Sequence, residues 1–153
     1  MTDRTTPVPK TVPDTTSPAV AVVQQFYAAY ANEDLDRMRS FFAPDVVWHI
    51  PERNSVSGAH QGVEETMFFF TQLTKGNFKA DVYALVGNDT HAIDFHRGYG
   101  QYGDLKLDIN WVIVWRVQNG KIVEGIDFAF DQQAADIFYS AVYSLKPLSQ
   151  RLA

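Results

Sequence analysis

The sequence predicts an α+β domain in which a cone-shaped, curved antiparallel sheet wraps around three helices and a C-terminal helix closes the chain. Three observations predict it. Apolar residues recur at helical spacing up to about residue 75, the period changes to two from Phe78 onward, and a helical period returns after Asp131. Helices and strands segregated in this way give α+β architecture rather than alternating βαβ units. A strongly bent sheet leaves a cavity between its concave face and the first helices, and function is expected there.

Residues 1–17 are mostly Thr, Pro and Asp and have too little apolar surface to offset the entropy of ordering, so they read as a mobile tail. The domain proper is expected over 18–146, with a short tail over 147–153. Ser17-Pro18 supplies an N-cap and a first-turn proline for a helix carrying Val22, Val23, Phe26, Tyr27 and Tyr30. Asp34 caps a second helix whose apolar face is Leu35, Met38, Phe41 and Phe42, ended by Pro44-Asp45. A short strand over 46–50 and a polar loop through Ser57-Gly58-Ala59-His60-Gln61-Gly62 follow. The third helix has Glu64 and Glu65 in its first turn, where the helix dipole favours acids, and Val63, Met67, Phe70 and Leu73 on its buried face.

Strands are predicted over 78–86, 90–99, 105–117 and 121–130. The turn Asn119-Gly120 is the strongest hairpin signal in the chain. Asp131 then caps the last helix, which stops before Pro147. Alternation sorts these strands into a bulky apolar face, with Trp111, Ile113 and Trp115 in a row, and a second face of small residues with a few polar ones. We expect the bulky face to pack between two protomers, giving a homodimer through the sheet, and Asp94, His96, Asn110 and Asp127 to point into the cone.

The chain has 153 residues, enough for one domain with a sizeable core. It carries eleven Phe, seven Tyr and three Trp, and those rings must pack against something. A net charge of −5 with dispersed Lys and Arg gives no footprint for nucleic acid or an anionic membrane surface. There is no Cys, hence no thiol nucleophile and no thiolate metal site, and the first residues have no apolar leader-like stretch. The expected setting is the cytoplasm.

The stretches VAVVQQFYAAYANEDLDRMRSFFAPDVVWHIPERN, SGAHQG and NGKIVEGIDFAFDQQAADIFYS resemble the SnoaL-like branch of the nuclear transport factor 2-like superfamily over about residues 18 to 142. The resemblance implies the cone fold and a pocket for a small, largely apolar molecule. It also brings polyketide cyclases, ketosteroid isomerases and limonene-type epoxide hydrolases into view. The isomerase set is absent, since its tyrosine, general base and oxyanion acid fall on Phe26, Ile50 and near Ile113, which move no proton. The cyclase and epoxide hydrolase aspartate falls on Asp127. The hydrolase water-binding asparagine falls on His49 and its Arg-x-Asp pair on Asp94-Phe95-His96, leaving the arginine missing unless a bulge displaces Arg97.

Asp127 stands mid-strand among Val123, Gly125 and Ala129, where a poorly solvated carboxyl group favours its protonated form. Asp94 and His96, two residues apart on one strand face, form a pair in which the carboxylate can orient the imidazole. Asp127, His49, Asp94 and His96 are therefore the candidate catalytic residues, and Phe26, Tyr30, Trp48, Met67 and Asn110 the candidate substrate contacts. Their spacing follows no metal signature, and neither metal nor organic cofactor is expected. The expected activity is acid/base catalysis of the cyclase or isomerase kind on a polyketide-like or polycyclic compound. An epoxide hydrolase and a non-catalytic binding or dimerisation module are the alternatives.

Overall fold

A computed structural model describes residues 17–51 and 54–143. Apart from Ser17, the expected tails lie outside the described residues. The chain runs α1 (Pro18–Ala31), α2 (Leu35–Ser40), β1 (Phe42–Ile50), β2 (Gly58–Gln61), α3 (Gly62–Lys75), β3 (Lys79–Gly87), β4 (His91–Tyr102), β5 (Leu105–Gln118), β6 (Lys121–Ala129) and α4 (Gln132–Val142). The strands form one six-stranded sheet in the order β2-β1-β6-β5-β4-β3. Its pairings are antiparallel except β1 with β6, which is parallel.

Local chemistry accounts for most boundaries. The side chains of Asp34 and Asp131 accept from the amides of Arg37 and Ala134 and so cap α2 and α4. Ser17 precedes α1 without a side-chain cap bond. Asn119 and Gly120 both take positive φ, as a two-residue hairpin turn between β5 and β6 demands. Phe42, expected on α2, instead opens β1 opposite Ile122. Pro44 lies where that pairing is interrupted between Phe42 and Val47, because it has no amide to give. The expected polar loop contains β2, an edge strand against β1.

Helices α1, α3 and α4 cover the concave face, and the core between the layers is dominated by rings: Phe26, Phe42, Trp48, Phe69, Phe70, Phe78, Trp111, Trp115 and Phe138 are all buried. Phe26 alone meets Phe42, Phe70 and Trp115 with ring centroids 5.1–5.4 Å apart. Burying each such ring contributes about 1.5–3 kcal/mol.

Strand register overturns the expected division of faces. Asp94 pairs with Ile113, His96 with Trp111 and Ala92 with Trp115, while Ile113 in turn pairs with Asp127. The small and acidic residues of β4 and β6 therefore share the concave face with the bulky residues of β5. Trp111, Ile113 and Trp115 are buried beneath the helices and are not a dimer surface. Asn110 falls on the convex face, opposite Arg97. That convex face carries a block of apolar side chains in two rows, Ile93–Val114–Ile126 and Phe95–Val112–Phe128.

Candidate active site

A cavity of about 40 Å³ lies at the heart of the cone. Phe26, Tyr27 and Tyr30 of α1 form one wall, Phe69, Phe70 and Leu73 of α3 another, and Tyr139 of α4 the end. The sheet contributes Ala80, His96, Trp111, Ile113, Trp115 and Asp127 as its floor, and Phe78 enters from the connection before β3. A second cavity of about 170 Å³ shares Tyr30, Phe78 and Ala80 with the first. Tyr30 and Phe78, joined by a 2.6 Å hydrogen bond from the Tyr30 hydroxyl to the Phe78 carbonyl, thus stand between the two. The inner space is large enough for water but falls short of the roughly 300–1,000 Å³ of ordinary ligand sites.

The polar centre of the site is Asp94, whose side chain is fully buried. It accepts from the Trp115 indole at 2.6 Å and from the Tyr27 hydroxyl at 2.8 Å, and its Oδ1 lies 2.6 Å from Nδ1 of His96. A carboxylate taken out of water is tolerable when its lone pairs are filled in this way. Because Nδ1 is turned to the Asp94 carboxyl group, Nε2 is the ring nitrogen left for other partners. None of the hydrogen bonds among the described residues uses Nε2, and His96 lines the cavity.

Asp127 reaches the same cavity from β6 and accepts from the Trp48 indole at 3.2 Å. Its position depends on a β-bulge at Val123: Val117 pairs with Ile122 but Arg116 with Glu124, so Ile122 and Asp127 both point inward although five residues apart. Burial pushes the Tyr27, Tyr30 and Tyr143 hydroxyls well above the ordinary tyrosine range, and the charge of Asp127 adds to the shift of each. These tyrosines stay protonated at neutral pH.

Of the residues singled out from sequence, Asp94, His96, Asp127, Phe26 and Tyr30 are brought together. Trp48 is one step back, holding Asp127. Met67 is buried in the core away from the cavity lining. Asn110 and His49 are not brought in: His49 sits on the outer face, 3.1 Å from Glu124, which also takes Arg116 at 2.9 Å. Arg97 is outside as well, gripping Asp108 through two 2.7 Å bonds. No bulge on β4 turns it inward, and the irregularity in that part of the sheet falls on β3, at Tyr83. Tyr27, Trp111 and Trp115 are site residues that the sequence does not single out. Tyr27 reads only as one more ring on α1, and alternation alone puts the two tryptophans on the opposite side of the sheet from Asp94 and His96. Among the described residues no cluster of His, Asp or Glu is placed to hold a metal ion, and no helix is long and apolar enough to cross a membrane.

Comparison with known proteins gives this arrangement its relatives. Residues 23–125 match the model of the SnoaL-like domain. An uncharacterised Mycobacterium tuberculosis protein, Rv0034, is 24% identical over 123 residues, spanning 78% of this chain and 94% of its own. Bal32a, from a soil-derived mobile gene cassette, superposes with a TM-score of 0.76 at 27% identity, covering 80% of this chain and 96% of that one. The fold alone is shared with an M. tuberculosis LEH-like epoxide hydrolase, with a TM-score of 0.63 at 17% identity over 81% of this chain and 92% of the other.

Proposed function

The chain belongs to the SnoaL-like domain family, and from that premise we propose that it is a cofactor-independent acid/base enzyme of the cyclase or isomerase kind. Its substrate is a small, largely apolar, polyketide-like or polycyclic compound. The observation that carries this reading is the buried Asp94, which fixes His96 by its Nδ1 and leaves Nε2 toward a cavity that also contains Asp127. In such a pair Nε2 takes a proton from a carbon next to a carbonyl group, and Asp94 stabilises the imidazolium that results. The proton that His96 has taken returns at a second position, directly or by way of the Asp127 carboxylate, so that both groups recover their starting state; this completes an isomerisation or follows carbon–carbon bond formation in a ring closure. The aromatic lining supplies the affinity for an apolar ring and keeps bulk water away from the enolate.

The epoxide hydrolase alternative loses support from Arg97, which is committed to Asp108 on the outer face. A test of the main reading is deuterium incorporation from D2O into the acidic C–H of 2-tetralone, with NMR following both binding and exchange. Acceleration by the wild type, reduced about a hundredfold or more in His96→Gln and substantially in Asp127→Asn, is the expected result. Binding of 2-tetralone without any acceleration over buffer would leave a binding module, not an enzyme.

We also assign a homodimer to the convex face of the sheet. The block formed by Ile93, Phe95, Val112, Val114, Ile126 and Phe128 is contiguous. It is bordered by Arg116 and Glu124 at one end and by Asp81, Arg97 and Asp108 at the other. A monomer exposing such a patch would be prone to association, and a second copy covers it with like surface. A cysteine-free chain fits the cytoplasm that we assign to it.

A further inference from the structure

The three tryptophans of the chain all lie on the concave side, and two of them spend their indole N–H on a buried carboxylate: Trp48 on Asp127 and Trp115 on Asp94. The third, Trp111, is buried, with 3% of its surface exposed, and its Nε1 has no hydrogen-bond partner. Ser17, Thr66 and Tyr143 also carry unpartnered buried polar atoms, but none of them lines the inner cavity, whereas Trp111 does. A buried donor without an acceptor is costly and rare, which points to a partner that arrives with the ligand.

Trp111 is also fixed in place. Its indole nitrogen lies over Gly98, where a β-carbon would come within 2.4 Å of Nε1. Phe78 stands edge-on to it at 6.1 Å and Tyr139 tilts against it at 5.9 Å. Across the strands Trp111 pairs directly with His96, so the two side chains leave the sheet side by side, about 4.5–5.5 Å apart at their β-carbons. Three other donors on the wall are committed, Tyr27 and Trp115 to Asp94 and Tyr30 to the Phe78 carbonyl.

We propose that Trp111 is the donor that anchors an acceptor oxygen of the ligand, so that the pocket selects flat apolar ketones or enolates over hydrocarbons of the same shape. The inference rests on the cavity being the ligand site. An oxygen held by Trp111 places the adjoining carbon beside His96, where its proton is to be removed, and the same N–H then stabilises the enolate oxygen. The anchor is thus a specificity determinant and a stabiliser of developing charge.

The test compares acetophenone with α-methylstyrene, which has nearly the same shape but no acceptor, on the full chain with 15N-labelled indoles. Acetophenone is expected to move the Trp111 N–H resonance downfield while α-methylstyrene leaves it nearly in place. Trp111→Phe is expected to weaken acetophenone about tenfold relative to α-methylstyrene. If both probes bind and the Trp111 resonance responds to them alike in the wild type, the anchor is refuted while the cavity stands as a ligand site. If neither probe binds, the cavity is not a ligand site, and the functional reading falls together with the anchor.

Discussion

The indole of Trp48 rests directly on Gly125, its register partner on β6: a β-carbon at position 125 would lie 2.1 Å from the ring. Two residues further along the same face, Asp127 accepts from that indole. The glycine is thus required by a close approach, and the approach sets the position of a candidate proton carrier. Gly125→Ala is expected to cost about 1–3 kcal/mol of stability, the range for overpacking a filled core. It should also lower deuterium exchange, because Trp48 can yield only by letting go of Asp127. Denaturant unfolding and the 2-tetralone assay check the two effects, and a variant as stable as the wild type would show that the ring has room to move.

Asp94 holds three donors at once, so its substitutions separate geometry from charge. Asp94→Ala would strand the Trp115, Tyr27 and His96 donors in the core. It is expected to lose about 3 kcal/mol or more. In Asp94→Asn the shape is kept, but the amide offers only one acceptor oxygen and turns its NH2 toward another donor, so a loss of about 1–3 kcal/mol is expected. The imidazolium loses its counter-charge, and exchange should fall about a hundredfold with 2-tetralone binding little changed. Equal losses in binding and exchange would make Asp94 a packing residue only.

Both the readable and the unreadable parts of this fold have physical causes. The helices were legible because Asp34 and Asp131 cap by local chemistry that sequence displays, and the β5–β6 hairpin because Asn119 and Gly120 can take positive φ. Alternation exposed two faces on every strand, but it carries no information about which face of one strand meets which face of the next. That is set by loop length between β4 and β5, where Tyr102 pairs with Leu105, and by the bulge at Val123 between β5 and β6. The i, i+2 pair Asp94 and His96 survives any register and is therefore legible. Asn110 changes face with the register of its strand, which alternation leaves open. His49 matches a relative's motif, yet its β1 position faces outward.

The convex face offers a direct prediction. Phe95 and Val112 are register partners at the centre of its apolar block. Phe95→Lys is expected to place an ammonium group in the contact between two copies and to convert a dimer to a monomer in sedimentation at micromolar concentration. Because Phe95 is 41% exposed in the single chain, the monomer should keep its fold, with stability within about 1 kcal/mol once dissociation is accounted for. A wild type that sediments as a monomer across that range would refute the assigned interface.

The buried tyrosines set the alkaline limit of the fold. Tyr27, Tyr30 and Tyr143 all have folded-state pKa values raised above the ordinary value of 10.0, chiefly by burial. In the unfolded chain their hydroxyls ionise near pH 10, whereas in the folded protein they still hold their protons there. The unfolded state thus binds fewer protons above that pH, and stability must fall as pH rises. The contribution of each tyrosine is intact below the unfolded pKa and is lost at about 1.4 kcal/mol per pH unit on the way to the folded pKa. Unfolding free energy should therefore be insensitive to these groups between pH 7 and 9 and drop steeply above about pH 10. Tyr27→Phe removes one ionising group and should make the alkaline slope shallower by about 1.4 kcal/mol per pH unit. It sacrifices the bond to Asp94, so its stability at neutral pH should be lower than that of the wild type. Urea unfolding at closely spaced pH values measures both slopes, and identical alkaline slopes in the two proteins would mean that Tyr27 already ionises as freely when folded as it does in water.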